Sequence, residues 1–265
     1  MKFLLLGTSD FAISCAKGLL KVGEEVCGFI SLEKSLLPDN SANVELFCAN
    51  QKINFFETTD INSQTSVKYI KNLNPDYIIA SWPKLIKKSV LNIPNYIVIG
   101  SHPTPLPMNQ GRHPLHWMIV LGIRASNLSF FIMDEGIDTG RILFQEPFTV
   151  GSNINFANQS LNNCVYNAVQ KLVTILKNNL DYDGYEQSFN NQNYLRKRTQ
   201  HDVTLDPRFT FNSMKKIVES FTHPYSCARL YFQKRQYVTI SKVELSDENK
   251  YPENWFNYEH GHVFH

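Results

Sequence analysis

His102 and Asp138 are the residues in this chain best suited to acid–base chemistry. His102 stands in the run Ser101-His102-Pro103-Thr104-Pro105-Leu106-Pro107. Imidazole titrates near neutrality, so it can take and return a proton under ordinary conditions. A general base must also be held still, and proline restricts both its own φ and the residue before it. Asp138 follows 36 residues later, in Met133-Asp134-Glu135-Gly136-Ile137-Asp138-Thr139-Gly140. A carboxylate there could orient the ring and favour its protonated form once a proton has moved. Asp134 and Glu135 compete for that task, and Gly136 and Gly140 mark a loop that approaches something closely. Nearer the amino terminus, Gly7-Thr8-Ser9-Asp10 leads into a helical pattern. Such a turn presents free N–H groups to an anion, or it is simply a capped tight turn.

The elements that must position these groups read as an α/β alternation. Short apolar runs predict strands at 2–6, 25–31, 53–56, 77–81, 96–100, 126–133 and 141–147. Between them the 3.6-residue pattern predicts helices at 11–20, 44–52, 65–73, 87–91, 115–121 and 156–179. Five of the chain's 12 prolines fall between Pro94 and Pro114, giving a stiff loop just past the 96–100 strand. In open α/β sheets, ligands bind at the carboxyl ends of strands. Two neighbouring strand ends would bring His102 and Asp138 into one crevice. Residues 181–193 are polar and read as a linker. A helix at 211–221 and strands at 228–232 and 237–245 then form a small α+β lobe, too small to be stable without packing on the first. Residues 261–265 read as a terminal strand.

Composition removes several classes. The chain has 265 residues, 43% hydrophobic and 19% charged, which fits a folded globular protein of one large domain with an appendage. No run approaches the roughly 18 apolar residues of a membrane span. The apolar start at residues 3–6 is broken too early for a signal peptide. Cys15, Cys27, Cys48, Cys164 and Cys227 are odd in number with no Cys-x-x-Cys spacing, so free thiols in a reducing cytoplasm are expected. The net charge of +2 argues against a nucleic-acid binder driven by bulk charge. His113 and His116 are spaced i, i+3, and His260, His262 and His265 cluster near the end. Neither set has the cysteine or carboxylate company of a zinc site, so no metal is expected.

The segments Ser101–Pro107, Gly111-Arg112-His113-Pro114 and Met133–Gly140, together with the Gly7-Thr8-Ser9-Asp10-Phe11 turn, resemble the folate-dependent formyltransferase family. That family includes methionyl-tRNA formyltransferase, glycinamide ribonucleotide formyltransferase and the nucleotide-sugar N-formyltransferases. The resemblance spans about residues 1–150. It implies a Rossmann-like, mostly parallel sheet over residues 1–180, followed by a linker and a small α+β lobe over 181–265. It also implies direct transfer of a formyl group from N10-formyltetrahydrofolate to an amine, without a covalent enzyme intermediate. His102 matches the family histidine and Asp138 its catalytic aspartate. Trp82, Lys84, Leu85 and Ile86 fall where the folate pocket is lined, and Met133, Asp134, Glu135, Gly136 and Asp138 would close its other side. One position departs: where the family carries an asparagine two residues before the histidine, this chain has Gly100. Losing one oxyanion donor costs about 2.7–4 kcal/mol. Ser101, Asn109 or a backbone N–H could replace it, and Asn109 is the expected substitute.

The acceptor follows from charge and size. A tRNA-directed enzyme needs a basic surface for the acceptor stem, and this chain is near neutral. The purine-pathway enzyme needs no carboxyl-terminal lobe. A nucleotide-linked amino sugar needs only a few placed cations and aromatics. Arg112, the segment Leu195-Arg196-Lys197-Arg198-Thr199 and the segment Phe221-Thr222-His223-Pro224-Tyr225 resemble the sugar-modifying branch. There Thr8, Ser9, Asp10, Arg112, His113, Arg196, Arg198 and Tyr225 are the expected substrate contacts, the arginines binding oxyanions as planar forks. The expected role is formylation of an amino sugar for surface-polysaccharide (lipopolysaccharide O-antigen) assembly, with no nucleic-acid or membrane partner. A homodimer is expected by family analogy. The alternatives are a methionyl-tRNA formyltransferase-type enzyme, or a weakly active folate or nucleotide binder in which Gly100 has removed a donor.

Overall fold

A computed structural model describes residues 1–179, 182–233, 236–244, 256–258 and 261–263. The first run, β1 (Lys2–Leu6), is apolar at every position but its first because it lies inside a sheet. Phe3 and Leu5 face one layer of helices, and Leu4 and Leu6 face the other, as the two-residue strand period requires. Around it stand β2 (Glu25–Leu32), β3 (Phe55–Thr58), β4 (Tyr77–Ala80) and β5 (Ile97–His102), all parallel. After β5 a two-residue strand, β6 (Gln110–Gly111), interrupts the loop. Strands β7 (Ala125–Ile132) and β8 (Ile142–Thr149) complete the sheet antiparallel. The order is β3-β2-β1-β4-β5-β7-β8, the mostly parallel α/β architecture expected.

Helices α1 (Asp10–Lys21), α2 (Val44–Gln51), α3 (Gln64–Leu73), α4 (Lys88–Leu91), α5 (Pro114–Leu121) and α6 (Ile154–Asn178) alternate with the strands. The larger core lies between the sheet and α1, α2, α5 and α6. The smaller lies beneath α3 and α4. Along α6, Ile154, Ala157, Leu161, Val165, Ala168, Val169, Leu172 and Leu176 recur at helical spacing and are buried. Asn153 caps its first turn by accepting from the Phe156 N–H. Gly18 of α1 lets α6 come close: a Cβ there would lie 2.2 Å from Val169 Cγ1 and 2.6 Å from the Tyr166 carbonyl oxygen.

Beyond α6 the chain differs from the expected solvated linker. Residue 181, and with it the expected boundary after residue 180, lies outside the described residues. Tyr185 exchanges backbone hydrogen bonds with Ile142, at 2.8 and 2.9 Å. Strand β9 (Tyr194–Leu195) pairs with β6 in parallel. The segment thus runs along the main body, because its amides find partners there. A separate small core then forms from β10 (Thr204–Leu205), α7 (Phe211–Ser220), β11 (Ala228–Gln233) and β12 (Gln236–Ile240), with Leu205, Met214, Val218, Ala228, Leu230 and Ile240 inside. Of the second strand expected there, residue 245 lies outside the described residues. A hairpin, β13 (Phe256–Tyr258) and β14 (Gly261–Val263), is the last feature described. His262 is in that hairpin, whereas His260 and His265 lie outside the described residues. The five cysteines are free. Burial pushes the thiols of Cys27 and Cys164 up to about 11 and that of Cys48 to about 12. Among the described residues no helix is long and apolar enough to cross a membrane.

One buried carboxylate ties the two ends of the large unit together. Glu24 accepts from the amino-terminal ammonium at 2.6 Å and pairs with Lys177 at the end of α6. Burial alone would raise its pKa, but the hydrogen bonds and charges of Lys177 and the terminus outweigh it and hold it below the usual value. A lowered folded-state pKa contributes stability above the unfolded value, about 4.3, that is lost as pH falls through the folded one. Glu24→Gln is therefore expected to lower Tm at pH 7, and the gap from wild type to narrow below about pH 4. A Tm series against pH for both proteins measures this; a gap of constant size at all pH values would contradict it.

Candidate active site

β5 carries the site at its carboxyl end. The strand runs two residues further than expected, because β7 pairs with it antiparallel through Ser101↔Phe130 and His102↔Ser129. Val98, Gly100 and His102 share one face of β5, and Ile99 and Ser101 the other. His102 is thus a strand residue, 5% exposed. The loop after it is pinned to the sheet by buried Ser129, whose Oγ donates to the Thr104 carbonyl at 2.6 Å and accepts from the Leu106 N–H at 3.2 Å. Gln145 reaches across to the same hydroxyl at 2.8 Å.

Both ring nitrogens of His102 face a partner. Nε2 lies 2.9 Å from the Asn109 carbonyl oxygen, which can only accept, so Nε2 carries the proton. Nδ1 lies 3.5 Å from Asp138 Oδ2. Of the three candidate acids, Asp138 is the one whose carboxylate faces the ring. Asp134 instead accepts from the Gly136 N–H and the Thr139 hydroxyl within its own loop. Glu135 pairs with Lys88 at 2.8 Å on the surface. Asp138 Oδ2 also accepts from the Gly111 N–H at 2.9 Å, and Asp138 itself adopts φ +56°.

The expected oxyanion donors separate. Ser101 lies on the opposite face from His102, with its hydroxyl buried and unpartnered. The Gly111 N–H is used by Asp138. Asn109, at φ +58°, has its Oδ1 and its backbone N–H engaged by Asn193, leaving Nδ2 free to donate. At Gly100, a Cβ would lie 2.5 Å from Phe131 Cζ and 2.9 Å from Met133 Cγ. The space an asparagine would take is filled by these two side chains.

Beside Met133 a cavity of about 270 Å³ opens, walled by Leu91, Val98, Ile132 and Met133, with Lys88 and Glu135 at its rim. Met133, Asp134 and Glu135 were expected in such a wall; Leu91, Val98 and Ile132 read in the sequence only as core. The residues expected on the other side are dispersed. Ile86 is buried in the smaller core, and Trp82 packs against that core with its indole N–H enclosed. Lys84 donates to the Thr59 carbonyl, and Leu85 is 57% exposed while its carbonyl accepts from Asn62.

The expected substrate contacts divide in the same way. Thr8 and Ser9 precede α1, Asp10 opens it, and the Ser9 side chain makes no capping hydrogen bond. Arg112 is exposed and donates to the Pro83 carbonyl at 3.1 Å, bridging the loops after β4 and β6. His113 Nδ1 accepts from the Arg198 N–H, and burial, helped by the charges of Arg112, Lys197 and Arg198, pushes its pKa down to about 4. Arg196 and Arg198 are a correction. Arg196 forms a fork with Asp202, at 2.5 and 2.7 Å. Arg198 is 5% exposed, lies against the rings of Trp117 and Phe221, and donates to Ser220 Oγ and the Asp202 carbonyl. Burial lowers its pKa to about 10. Arg198 joins the small unit to α5, whereas Arg196 lies over Trp117 with its charge paired to Asp202 and stays exposed. Tyr225 packs edge-on against His116, and its hydroxyl accepts from Asn158.

An imidazole held between a carboxylate and a carbonyl at the carboxyl end of an interior strand is an arrangement suited to moving a proton. The chain belongs to the formyl transferase family, whose profile matches residues 30–184. It is 32% identical over 165 residues to methionyl-tRNA formyltransferase of Syntrophomonas wolfei, a match covering 58% of this chain. It spans about half (51%) of that relative's length. Among solved structures it resembles methionyl-tRNA formyltransferase from Clostridium thermocellum, with TM-score 0.65 and 17% identity, covering 92% of this chain and 93% of that one. It equally resembles a sugar N-formyltransferase from a Shewanella species, with TM-score 0.66 and 16% identity, covering 93% and 99%. At these identities the two structures share its fold.

Gly100→Asn is expected to destabilise the fold by about 1–3 kcal/mol through overpacking against Phe131 and Met133. Urea unfolding measures it; an unchanged midpoint would mean that the two side chains give way freely.

Proposed function

We propose that the protein is an N-formyltransferase that moves the formyl group of N10-formyltetrahydrofolate to the amine of a nucleotide-linked amino sugar. The main support is the His102–Asp138 pair, 3.5 Å apart at the carboxyl end of β5; a cavity with Leu91, Val98, Ile132 and Met133 in its wall opens nearer the start of the same strand. Its apolar side chains alternate with Asn92, Tyr96 and Asp134, a mixed lining that suits a flat heteroaromatic ring carrying hydrogen-bonding groups. Bound there, N10-formyltetrahydrofolate supplies an activated formyl group.

The chain's own residues supply the proton chemistry. An amine attacks only when neutral, and His102 accepts the proton it sheds. Asp138 orients the ring and favours its charged form. Negative charge growing on the formyl oxygen is met by Asn109 Nδ2, which stands in for the missing donor at position 100, while the Nε2–H of His102 holds the Asn109 carbonyl. Arg112 and the open turn at Thr8, Ser9 and Asp10 serve the phosphates. His113 is neutral near pH 7 and Tyr225 is half-buried; both line the approach to α5.

Two further observations favour a sugar nucleotide over methionyl-tRNA. After residue 180 the chain carries as many Asp and Glu as Lys and Arg. The two arginines of Arg196-Lys197-Arg198 are engaged within the protein.

The experiment is incubation with N10-formyltetrahydrofolate and a panel of nucleotide-linked amino sugars, with mass spectrometry of the products. One sugar nucleotide gaining a formyl group is expected, with His102→Ala lowering the rate by about 10²–10⁴-fold. Formylation of methionyl-tRNA with no sugar product would overturn the acceptor. Folate binding without turnover on any amine would overturn the activity.

A further inference from the structure

The mechanism above leaves unexplained how Asp138 is kept in the left-handed conformation that aims its carboxylate at His102. A non-glycine residue at φ +56° stays there only when its surroundings hold it. The peptide carbonyl of Asp138 accepts two hydrogen bonds, from Gln110 Nε2 and from Gln187 Nε2, each at 2.8 Å. The second N–H of the Gln187 amide goes to the Gly140 carbonyl, also at 2.8 Å. One primary amide thus spans both ends of the turn that carries Asp138. Gly140 is packed so closely there that a Cβ would lie 1.7 Å from the Ile132 carbonyl oxygen.

Gln187 is itself anchored on both sides. Before it, Arg141 binds the carbonyls of Asp183 and Gly184, at 2.8 and 2.9 Å, and the Glu186 carboxylate. After it, Gln192 donates to Gln110 Oε1, and Asn193 forms the paired contacts with Asn109, whose carbonyl meets His102. The segment after α6 therefore touches Asp138 directly, through Gln187, and His102 through Asn109. We propose that Gln187 is a positioning residue for the reaction: its amide holds the Asp138 turn so that the carboxylate faces His102 Nδ1. This rests on the formyltransferase reading for its kinetic consequence, but not for its geometric one.

Two readouts test it. Gln187→Ala is expected to lower kcat for formyl transfer by about 10²-fold, the scale of a misplacement near 1 Å, with KM little changed. In an Asp138→Asn background the same change is expected to cost almost nothing further, because its route is already cut. Ser188→Ala, in the same segment but exposed and outside these contacts, is expected to leave kcat unchanged. The second readout needs no substrate. Nitrogen NMR of the His102 ring is expected to show its titration midpoint moved by Gln187→Ala in the direction that Asp138→Asn moves it. Wild-type kcat and midpoint in Gln187→Ala would overturn the proposal, as would losses that add in the Asp138→Asn background. If the wild-type protein formylates nothing while the midpoint still moves, the functional reading fails and the positioning role stands.

Discussion

The site depends on a change of strand direction. Up to Gly100, β5 is hydrogen-bonded to parallel β4 on one side, and its last four residues pair with antiparallel β7 on the other. A parallel neighbour alone would release the chain at Gly100, leaving His102 in a loop. The antiparallel partner keeps the next two residues in the sheet, so the imidazole inherits the rigidity of a core strand. β7 then runs from Ser129, opposite His102, to Ile132, opposite Ile99, and residues 133–138 fold back so that Asp138 reaches the ring. Buried Ser129 fastens the proline-rich loop through two hydrogen bonds and takes a third from Gln145 of β8. Proline stiffness and sheet pairing act on the same few residues, which is how a short segment can hold a base in place.

What could be read from the sequence was what depends on local pattern. Apolar runs and helical spacing gave the alternating elements, since each such element buries one face or both. His102 and Asp138 stood out because their types suit proton transfer and their neighbours restrict the backbone. What could not be read was long-range pairing. The extension of β5 to His102 depends on β7, which lies 23 residues further along. Leu91 and Val98 look like core residues, and only the packing leaves a cavity between them. Gln187 and Asn193 sit in a polar tract whose composition fits a solvated linker. They are instead satisfied by carbonyls and amides brought up from elsewhere in the chain, and composition does not carry that information.

The basic tract at 196–198 teaches the same lesson with the opposite sign. Clustered arginines suit phosphate, and the planar fork makes them good at it. Yet a fork is equally suited to a carboxylate, and Asp202 lies six residues from Arg196. Arg198 is enclosed by Trp117 and Phe221 and shares Ser220 with the end of α7. It acts as a rivet between the small unit and α5. Arg112 differs in kind: it is exposed and anchored through a single nitrogen to a carbonyl, so most of its donors still point outward. Charge in the sequence marks candidates, and only the count of remaining donors separates a ligand-binding arginine from a structural one.

Gly100 brings these strands together. The absent side chain is not simply a missing donor, because Phe131 and Met133 occupy the volume that it would need. Met133 also lines the cavity, and Phe131 packs with Leu106 and Ile142. Enlarging position 100 would therefore press on the loop, on β8 and on the cavity wall at once. An oxyanion donor in this protein has to come from outside the strand. Asn109 meets that requirement: its backbone carbonyl already contacts His102, its Oδ1 is held by Asn193, and its remaining amide N–H groups are unspent. In the proposed reaction the donor would sit in a loop that Asn193, from a distant segment, holds in place.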